Sequence, residues 1–565
     1  MPYRAPLGDF RFLFDHVVGL EQVSETEKFA EATPDLVEQI LAEAGRLCED
    51  VLAPLQRPGD EHPAYLENGV VRTPPGFAEG YRAIAEGGWV GMSADPEHGG
   101  MGLPVTVSMA VNEMMSSACL SLQLCPMLSQ GQIEALEHHA SDAIKTLYLP
   151  KLTSGEWSGT MNLTEPQAGS DVGALTTKAV ANGDGTYAIT GQKIYITWGD
   201  ADFLSNICHL VLARLPGAPE GTKGISLFLV PKVLPNGDGS LGERNAVRTV
   251  SLEHKMGIHG SPTCVMEYDG AAGWLIGSEN AGMAAMFTMM NNARLGVGVQ
   301  GIGVAEGAYQ HALDYAMDRR QGPAGGTGSI AEHADVRRML AGIKADVFAA
   351  RSIALTNAVA IDMADATGDP DWAARAALLT PISKAFGSDL GVAAAQEGIQ
   401  IHGGMGFVEE TGAAQYARDV RVTTIYEGTN GIQAMDLVGR KMKDGGAAAF
   451  ALLDEIAAEA GAVDDELAGA VSDAADALHG TTEWLVGRED LQDRFAGAVP
   501  YLHAFARVLG AAAHLRAARA DPQGRRALAE VYIRRRLPEH AGLLAEARAG
   551  AEGLYALSLD DLGAA

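Results

Sequence analysis

Glu427 stands in the run Ile425-Tyr426-Glu427-Gly428-Thr429-Asn430-Gly431-Ile432-Gln433, set between an aromatic residue and a glycine. A carboxylate on such a turn loses water when a ligand covers it, and its pKa then rises toward the working range of a general base. The chemistry proposed is removal of a weakly acidic proton. A solvated surface turn is the competing reading, and the nine residues alone leave both open. A second segment, Met161-Asn162-Leu163-Thr164-Glu165-Pro166-Gln167-Ala168-Gly169-Ser170-Asp171, combines a proline-fixed turn, a Gly-Ser pair and several hydroxyls. It offers backbone N–H groups and hydroxyls to a flat polar ring or a phosphate. The alternative is a plain helix cap before Val172.

Other constellations carry less. Gly296-Val297-Gly298-Val299-Gln300-Gly301 has the G-x-G-x-x-G form, but a dinucleotide fingerprint must follow a strand and open a helix. The preceding stretch from Met283 to Arg294 reads as helix, so these glycines are read as points of close helix packing. His138 and His139 would point about 100° apart on a helix, and no second ligand pair has metal-binding spacing, so no metal is expected. Met283, Met286, Met289 and Met290 either line an adaptable acyl pocket or fill core. The residues that would start a serine hydrolase, zinc protease or P-loop reading are absent.

The elements that position these residues follow from periodicity. From 34 to 157 apolar residues recur at three and four spacing, and Leu36, Ile40, Leu41, Ala44 and Leu47 are expected to form one buried stripe. From 158 to 278 the pattern changes to short β-rich runs, Tyr187 to Thr190, Lys193 to Thr197, His209 to Arg214 and Ile225 to Val230, divided by turn clusters. Helical spacing returns over 279 to 442, with Val336, Met339, Leu340, Ile343 and Val347 on one face and a Gly-rich break from Gly322 to Gly328. Residues 1 to 33 form an N-terminal extension, and the Ala-rich stretch 445 to 565 reads as an extra helical domain.

A chain of 565 residues exceeds a single core and implies several domains. Its net charge of −30 repels phosphate backbones and anionic lipid surfaces, which argues against nucleic-acid and membrane-surface binding. A few local arginines can still hold an anionic small molecule. Cys48, Cys119, Cys125, Cys208 and Cys264 are odd in number and never spaced C-x-x-C, which argues against a disulfide framework and fits a reducing cytoplasm. No apolar leader and no uninterrupted apolar run long enough to span a membrane are read, so a soluble, cytoplasmic protein is expected.

Several motifs then occur in one order. Leu163-Thr164-Glu165-Pro166 with Ala168-Gly169-Ser170-Asp171 comes first, followed by Gly191-Gln192-Lys193-Ile194-Tyr195-Ile196-Thr197 and by Lys255-Met256-Gly257 with Ser261. Ala293-Arg294, Gln400-Ile401-His402-Gly403-Gly404-Met405-Gly406-Phe407 and the Glu427 run complete the series. In order and spacing the chain resembles the acyl-CoA dehydrogenase family of FAD flavoproteins over residues 35 to 440. The resemblance implies a mainly α fold with an N-terminal helical domain, a middle β-barrel-like domain and a C-terminal four-helix bundle, here followed by a helical extension. FAD would lie between domains and across a subunit interface.

The implied reaction is α,β-dehydrogenation of an acyl-CoA thioester, Glu427 taking the α-proton while the β-hydrogen leaves as hydride to flavin N5. The backbone N–H of Glu427 and a ribityl hydroxyl would hydrogen-bond the thioester oxygen. By the same resemblance Met161, Leu163, Thr164, Gly169, Ser170, Tyr195, Thr197, Thr429 and Gly431 match flavin contacts. Arg319, Gln400 and Gly404 match groups that reach the FAD diphosphate from a neighbouring subunit, and Ser170, Arg294 and Gly428 match substrate-binding positions. Some members carry the base immediately before the matching arginine, where this chain has Ala293, so Glu427 stands without a rival. Three positions depart from the family pattern: Tyr195 replaces a usual Trp, Trp198 stands where Asn is common, and Gly322 where Phe is frequent.

The stretch from Met1 to Val18 and the tail resemble a longer subgroup of that family. This implies 3-(methylthio)propanoyl-CoA, from dimethylsulfoniopropionate demethylation, as substrate, with a short- or medium-chain fatty acyl-CoA as the alternative. An electron-transfer flavoprotein is the implied acceptor. An acyl-CoA oxidase would use oxygen instead, and a helical interaction protein would bind no flavin. A homodimer is expected, the tail covering the face through which shorter relatives form tetramers.

Overall fold

The computed structural model describes residues 3–323, 325–462 and 465–563, without the side chain of Asn291. Of the segments read above, Met1 and Pro2, Ala324 in the Gly-rich break, and Val463, Asp464, Ala564 and Ala565 in the tail lie outside the described residues. Helix Pro34–Leu47 begins where its sequence signals it, with Pro34 in the first turn and the Thr33 hydroxyl accepting from Leu36 N at 3.4 Å. Its buried face differs from the expected stripe. Val37, Leu41, Ala44 and Gly45 are buried, whereas Leu36 is 37% exposed and Ile40 and Leu47 are partly covered. The cause is tertiary: Ala5 and Leu7 of the N-terminal segment pack directly on Gly45 and rotate the covered face toward it.

The middle domain is a small closed barrel. Thr263–Ile276 pairs with Tyr187–Thr197 on one side and with Ile225–Pro231 on the other. Ile225–Pro231 pairs with Asn206–Arg214, which meets Lys178–Ala181, and that strand returns to Tyr187–Thr197. The long strand Thr263–Ile276 has no counterpart among the sequence-predicted runs, its β-rich pattern being interrupted at Asp269-Gly270. In the structure the register shifts there, with Gly270 at φ 75°. Strand Trp157–Asn162 adds to the edge, parallel to Asn206–Arg214, and delivers the hydroxyl-rich loop that follows it.

Helices Gly282–Asp318, Ala334–Thr367, Pro370–His402 and Asn430–Gly439 build the C-terminal bundle. Gly298 and Gly301 sit inside the first of these, with no strand before them. A Cβ on Gly298 would meet the Ser383 carbonyl oxygen at 2.5 Å, and one on Gly301 the Gly387 carbonyl oxygen at 2.3 Å. The formal dinucleotide fingerprint is therefore a stripe that lets two helix backbones approach. Helix Ala334–Thr367 is long and apolar enough to cross a membrane, but 78% of its most apolar window is buried inside the protein.

The tail adds helices from Ala447–Gly461 onward, of which Ala498–Ala520 packs on the bundle. Arg507 of that helix pairs with Asp346 at 2.7 Å. Asp9, on the N-terminal helix Leu7–His16, pairs with Arg525 of the tail at 2.6 Å and lies 3.7 Å from Arg351 of the bundle. Both extensions thus lock onto one another and onto the bundle.

Candidate active site

The Glu427 turn is built from the end of a 3₁₀ turn, where the N–H groups of Ile425 and Tyr426 donate to the Val422 carbonyl at 2.9 and 3.1 Å. Glu427 then adopts φ 58° and Gly428 φ 85°. The first value is strained for a glutamate by about 1–2 kcal/mol and persists only where surroundings enforce it. Three side chains enforce it. Gln433 Nε2 donates to the Glu427 carbonyl at 3.1 Å, Lys384 Nζ donates to the Gly428 carbonyl at 2.9 Å, and Tyr426 Oη donates to Gln300 Oε1 at 2.5 Å. Among the described residues the N–H groups of Glu427 and Gly428 donate to no oxygen of the chain, which leaves two donors beside the carboxylate.

Burial raises the Glu427 carboxyl above its ordinary range, while Arg294 and then Lys384 pull it back by charge. Arg294 is itself 6% exposed and sits 3.6 Å from Asp436 across the two helices. Its Nε has no partner among the described residues. Asp436 also pairs with Arg440, whose guanidinium lies 5.7 Å from the Phe287 ring centre. Glu427, Arg294 and Gly428 are therefore gathered in one place, together with Lys384, Asn430, Gln433 and Asp436.

The second assembly lies on the barrel. Ile194 N donates to the Thr164 carbonyl at 3.0 Å, and Lys193 Nζ donates to the Leu163 carbonyl at 2.9 Å, so the loop and the strand bearing Tyr195 and Thr197 are fastened together. Glu165 does the fastening from inside. Its carboxylate meets Lys193 Nζ at 2.8 Å and accepts from Thr176 N at 2.7 Å, Thr177 N at 3.0 Å and Thr177 Oγ1 at 2.6 Å. Burial alone would raise this carboxyl, but Lys193 and the threonine donors override it and hold it at about 2. Met161 is buried, Leu163 and Thr164 are partly covered, and Gly169 and Ser170 are exposed. Asp171 caps the short turn Val172–Ala174 by accepting from Gly173 N at 3.0 Å, so the loop exposes small residues and ends in a cap as well.

The departures sort by burial. Tyr195, at φ 60°, is 60% exposed. Trp198, at φ 51°, is fully buried, donates from Nε1 to the Ser121 carbonyl at 3.1 Å and stacks on Phe77. The indole at this place ties the barrel to the N-terminal helices. Gly322 is exposed at φ 72°.

Arg319, Gln400 and Gly404 are exposed and lie at the opposite end of the bundle. Arg319 follows helix Gly282–Asp318, and it lies about 35 Å along that helix from Arg294. His402, two residues from Gln400 and Gly404, stacks on Tyr315 at 4.4 Å, which places these residues at the same end. One protomer cannot bring them to its own Glu427. Thr429 caps helix Asn430–Gly439 by accepting from Ile432 N at 3.3 Å, and Gly431 follows in its first turn. Sequence reasoning missed Lys384 and assigned no role to Glu165, Lys193, Gln433 or Asp436. The available signal for Lys384 was a lysine inside the apolar helical run from Leu378 to Leu390.

Comparison with known proteins bears on this arrangement. The profile described as acyl-CoA dehydrogenase, N-terminal domain, matches residues 35–156, the middle-domain profile 160–271, and the C-terminal-domain profile 280–442. A profile described as acetyl-CoA dehydrogenase C-terminal like matches residues 450–558. The 3-methylmercaptopropionyl-CoA dehydrogenase of Ruegeria pomeroyi is 46% identical over 519 residues, covering 89% of this chain and 88% of its own. A butyryl-CoA dehydrogenase of Syntrophomonas wolfei is 40% identical, covering 71% and 69%. In fold, the chain is similar to a solved acyl-CoA dehydrogenase of Bacillus anthracis complexed with FAD, with TM-score 0.77, 23% identity and coverage of 98% and 94%.

Proposed function

The chain belongs to the acyl-CoA dehydrogenase family and is an FAD-dependent acyl-CoA dehydrogenase, and from that premise we propose that Glu427 is its base and 3-(methylthio)propanoyl-CoA its substrate. The observation that carries the base is the held left-handed turn, with a carboxyl raised by burial beside two open N–H groups. The acyl group rests on the 46% identity to the Ruegeria pomeroyi enzyme, which covers 89% of this chain. Similarity to butyryl-CoA dehydrogenase keeps a short-chain fatty acyl-CoA as the second reading.

The residues present fit FAD. A Cβ at Gly169 would meet nothing within 4 Å, and the adjacent Ser170 hydroxyl and Tyr195 ring are exposed, as a flat hydrogen-bonding ring requires. Met161, Leu163, Thr164, Gly169, Ser170, Tyr195, Thr197, Thr429 and Gly431 would hold the ring system. Arg319, Gln400 and Gly404, too far from Glu427 within one chain, would serve the diphosphate of a second copy.

An α C–H of a thioester is a weak acid, so its removal needs a carboxylate of raised proton affinity and a donor where enolate charge develops. Glu427 supplies the carboxylate, and its N–H supplies a donor to the thioester oxygen. Arg294, beside them, favours negative charge in the site. The acyl chain, on entering, excludes water and raises the carboxyl further. Bound FAD would supply the hydride acceptor for the β-hydrogen. The product is 3-(methylthio)acryloyl-CoA, and an electron-transfer flavoprotein is the proposed acceptor. A homodimer is proposed, since the tail covers one bundle face; a tetrameric mass in solution would overturn that.

The test is an anaerobic absorbance titration with 3-(methylthio)propanoyl-, butanoyl- and hexanoyl-CoA. Fastest bleaching by the methylthio substrate supports the proposal, and fastest bleaching by butanoyl-CoA selects the second reading. Oxygen uptake during turnover without an added acceptor would favour an oxidase.

A further inference from the structure

Lys384 is 0% exposed on helix Pro370–His402, yet it forms no ion pair among the described residues. Its ammonium donates to the Gly428 carbonyl at 2.9 Å and to Asn430 Oδ1 at 2.8 Å, both neutral acceptors. Burying a cation without a carboxylate partner carries a desolvation penalty of several kcal/mol, so the arrangement calls for a use. Its placement is set by the glycine stripe, since a Cβ on Gly298 would meet the Lys384 Cα at 3.1 Å. Asn430 is held in turn by Ser388, whose Oγ lies 3.0 Å from its Nδ2 and 3.2 Å from its Oδ1, the same oxygen that accepts from the ammonium at 2.8 Å.

We propose that Lys384 is the positioning residue of the base: it grips the Gly428 carbonyl and the Asn430 side chain, holds Glu427 in its left-handed conformation facing the substrate, and stabilises the carboxylate by its charge. This rests on Glu427 being the base. The groups acting on the carboxylate are Arg294 from helix Gly282–Asp318 and Lys384 from helix Pro370–His402. Beyond them, Tyr426 neighbours Glu427 in the chain, Asp436 of helix Asn430–Gly439 and Arg440 just after it act through Arg294, and Asp389 acts on Lys384 by charge. Asp389 is shared with His503 of the tail at 3.1 Å. Burial lowers Lys384 to about 8, so the ammonium is charged near neutral pH.

The experiment is exchange of the α-protons of acetyl-CoA in D₂O, followed by mass, on the FAD-loaded protein. Acetyl-CoA has α-hydrogens and no β-carbon, so the proton passes from carbon to Glu427, a deuteron returns, and nothing is oxidised. Lys384→Met is expected to slow exchange about tenfold and to move its pH midpoint upward by about one unit, because a cation that favoured the carboxylate is gone. Lys384→Arg is expected to restore the midpoint; a midpoint displaced as in Lys384→Met would overturn the charge role. Glu427→Gln should abolish exchange, and wild-type exchange in that variant sinks the base reading itself. If Glu427→Gln is silent while Lys384→Met, with FAD content and melting temperature intact, matches wild type in rate and midpoint, the Lys384 proposal alone fails. Should Lys384→Met not fold, Asn430→Ala decides: slower exchange at an unchanged midpoint supports the grip, and a wild-type rate overturns it.

Discussion

Two glutamates of this chain each lie beside a buried lysine, and they have opposite fates. Glu165 touches Lys193 directly at 2.8 Å and is saturated by backbone and hydroxyl donors from Thr176 and Thr177. It stays an anion near neutral pH, held at about 2. Glu427 has its lysine turned to the neighbouring carbonyl instead, so only charge at a distance offsets its burial and its pKa rises. Donor count at the carboxylate decides which one is structural and which one can accept a proton.

The largest effect that would break this contrast is in Glu427→Gln. Flavin bleaching by acyl-CoA should fall by about 10³-fold with FAD content retained, and near wild-type bleaching would remove Glu427 from the chemistry. Glu165→Ala should instead destabilise the fold by about 3–5 kcal/mol, because Lys193 is left buried and unpaired. Urea unfolding checks this, and a change below about 0.5 kcal/mol would mean that the clamp is dispensable.

The pH dependences should diverge as well. A raised Glu427 must lose its proton to act, so the bleaching rate should fall as pH drops through a midpoint above the ordinary glutamate value of about 4.3. Glu165 is depressed on folding, so its stabilisation is complete above about 4.3 and is lost as pH falls toward about 2. Melting temperature against pH reads the second, stopped-flow bleaching the first. The smallest effect expected is in Gln433→Leu, which removes the donor to the Glu427 carbonyl. A loss of about 1 kcal/mol, or about fivefold in rate, is anticipated, and a larger loss would put Gln433 on a par with Lys384.

Much of the fold was legible because its signals are local. Three-and-four apolar spacing from residue 34 announces helices, the β-rich runs become barrel strands, and Gly298 with Gly301 reads as helix packing. Leu36 was misjudged because periodicity identifies a stripe but not the neighbour that rotates it. Thr263–Ile276 escaped because its β-rich pattern is interrupted at Asp269-Gly270, where the register shifts. In the site, Glu427 was marked by its aromatic and glycine neighbours, whereas Lys384 resembled any stray charge on a helix.

The sequence by itself determined which side chains are available and what local backbone they prefer: a carboxylate before a glycine, hydroxyls on a proline-fixed loop, glycines where helices touch. Only the tertiary structure decided which carboxylate is kept as an anion and which is poised to take a proton. That choice depends on donors and charges brought from Lys193, Arg294, Lys384 and Gln433 across four separate elements. Electrostatic energy follows distance and burial in space, and chain order carries neither.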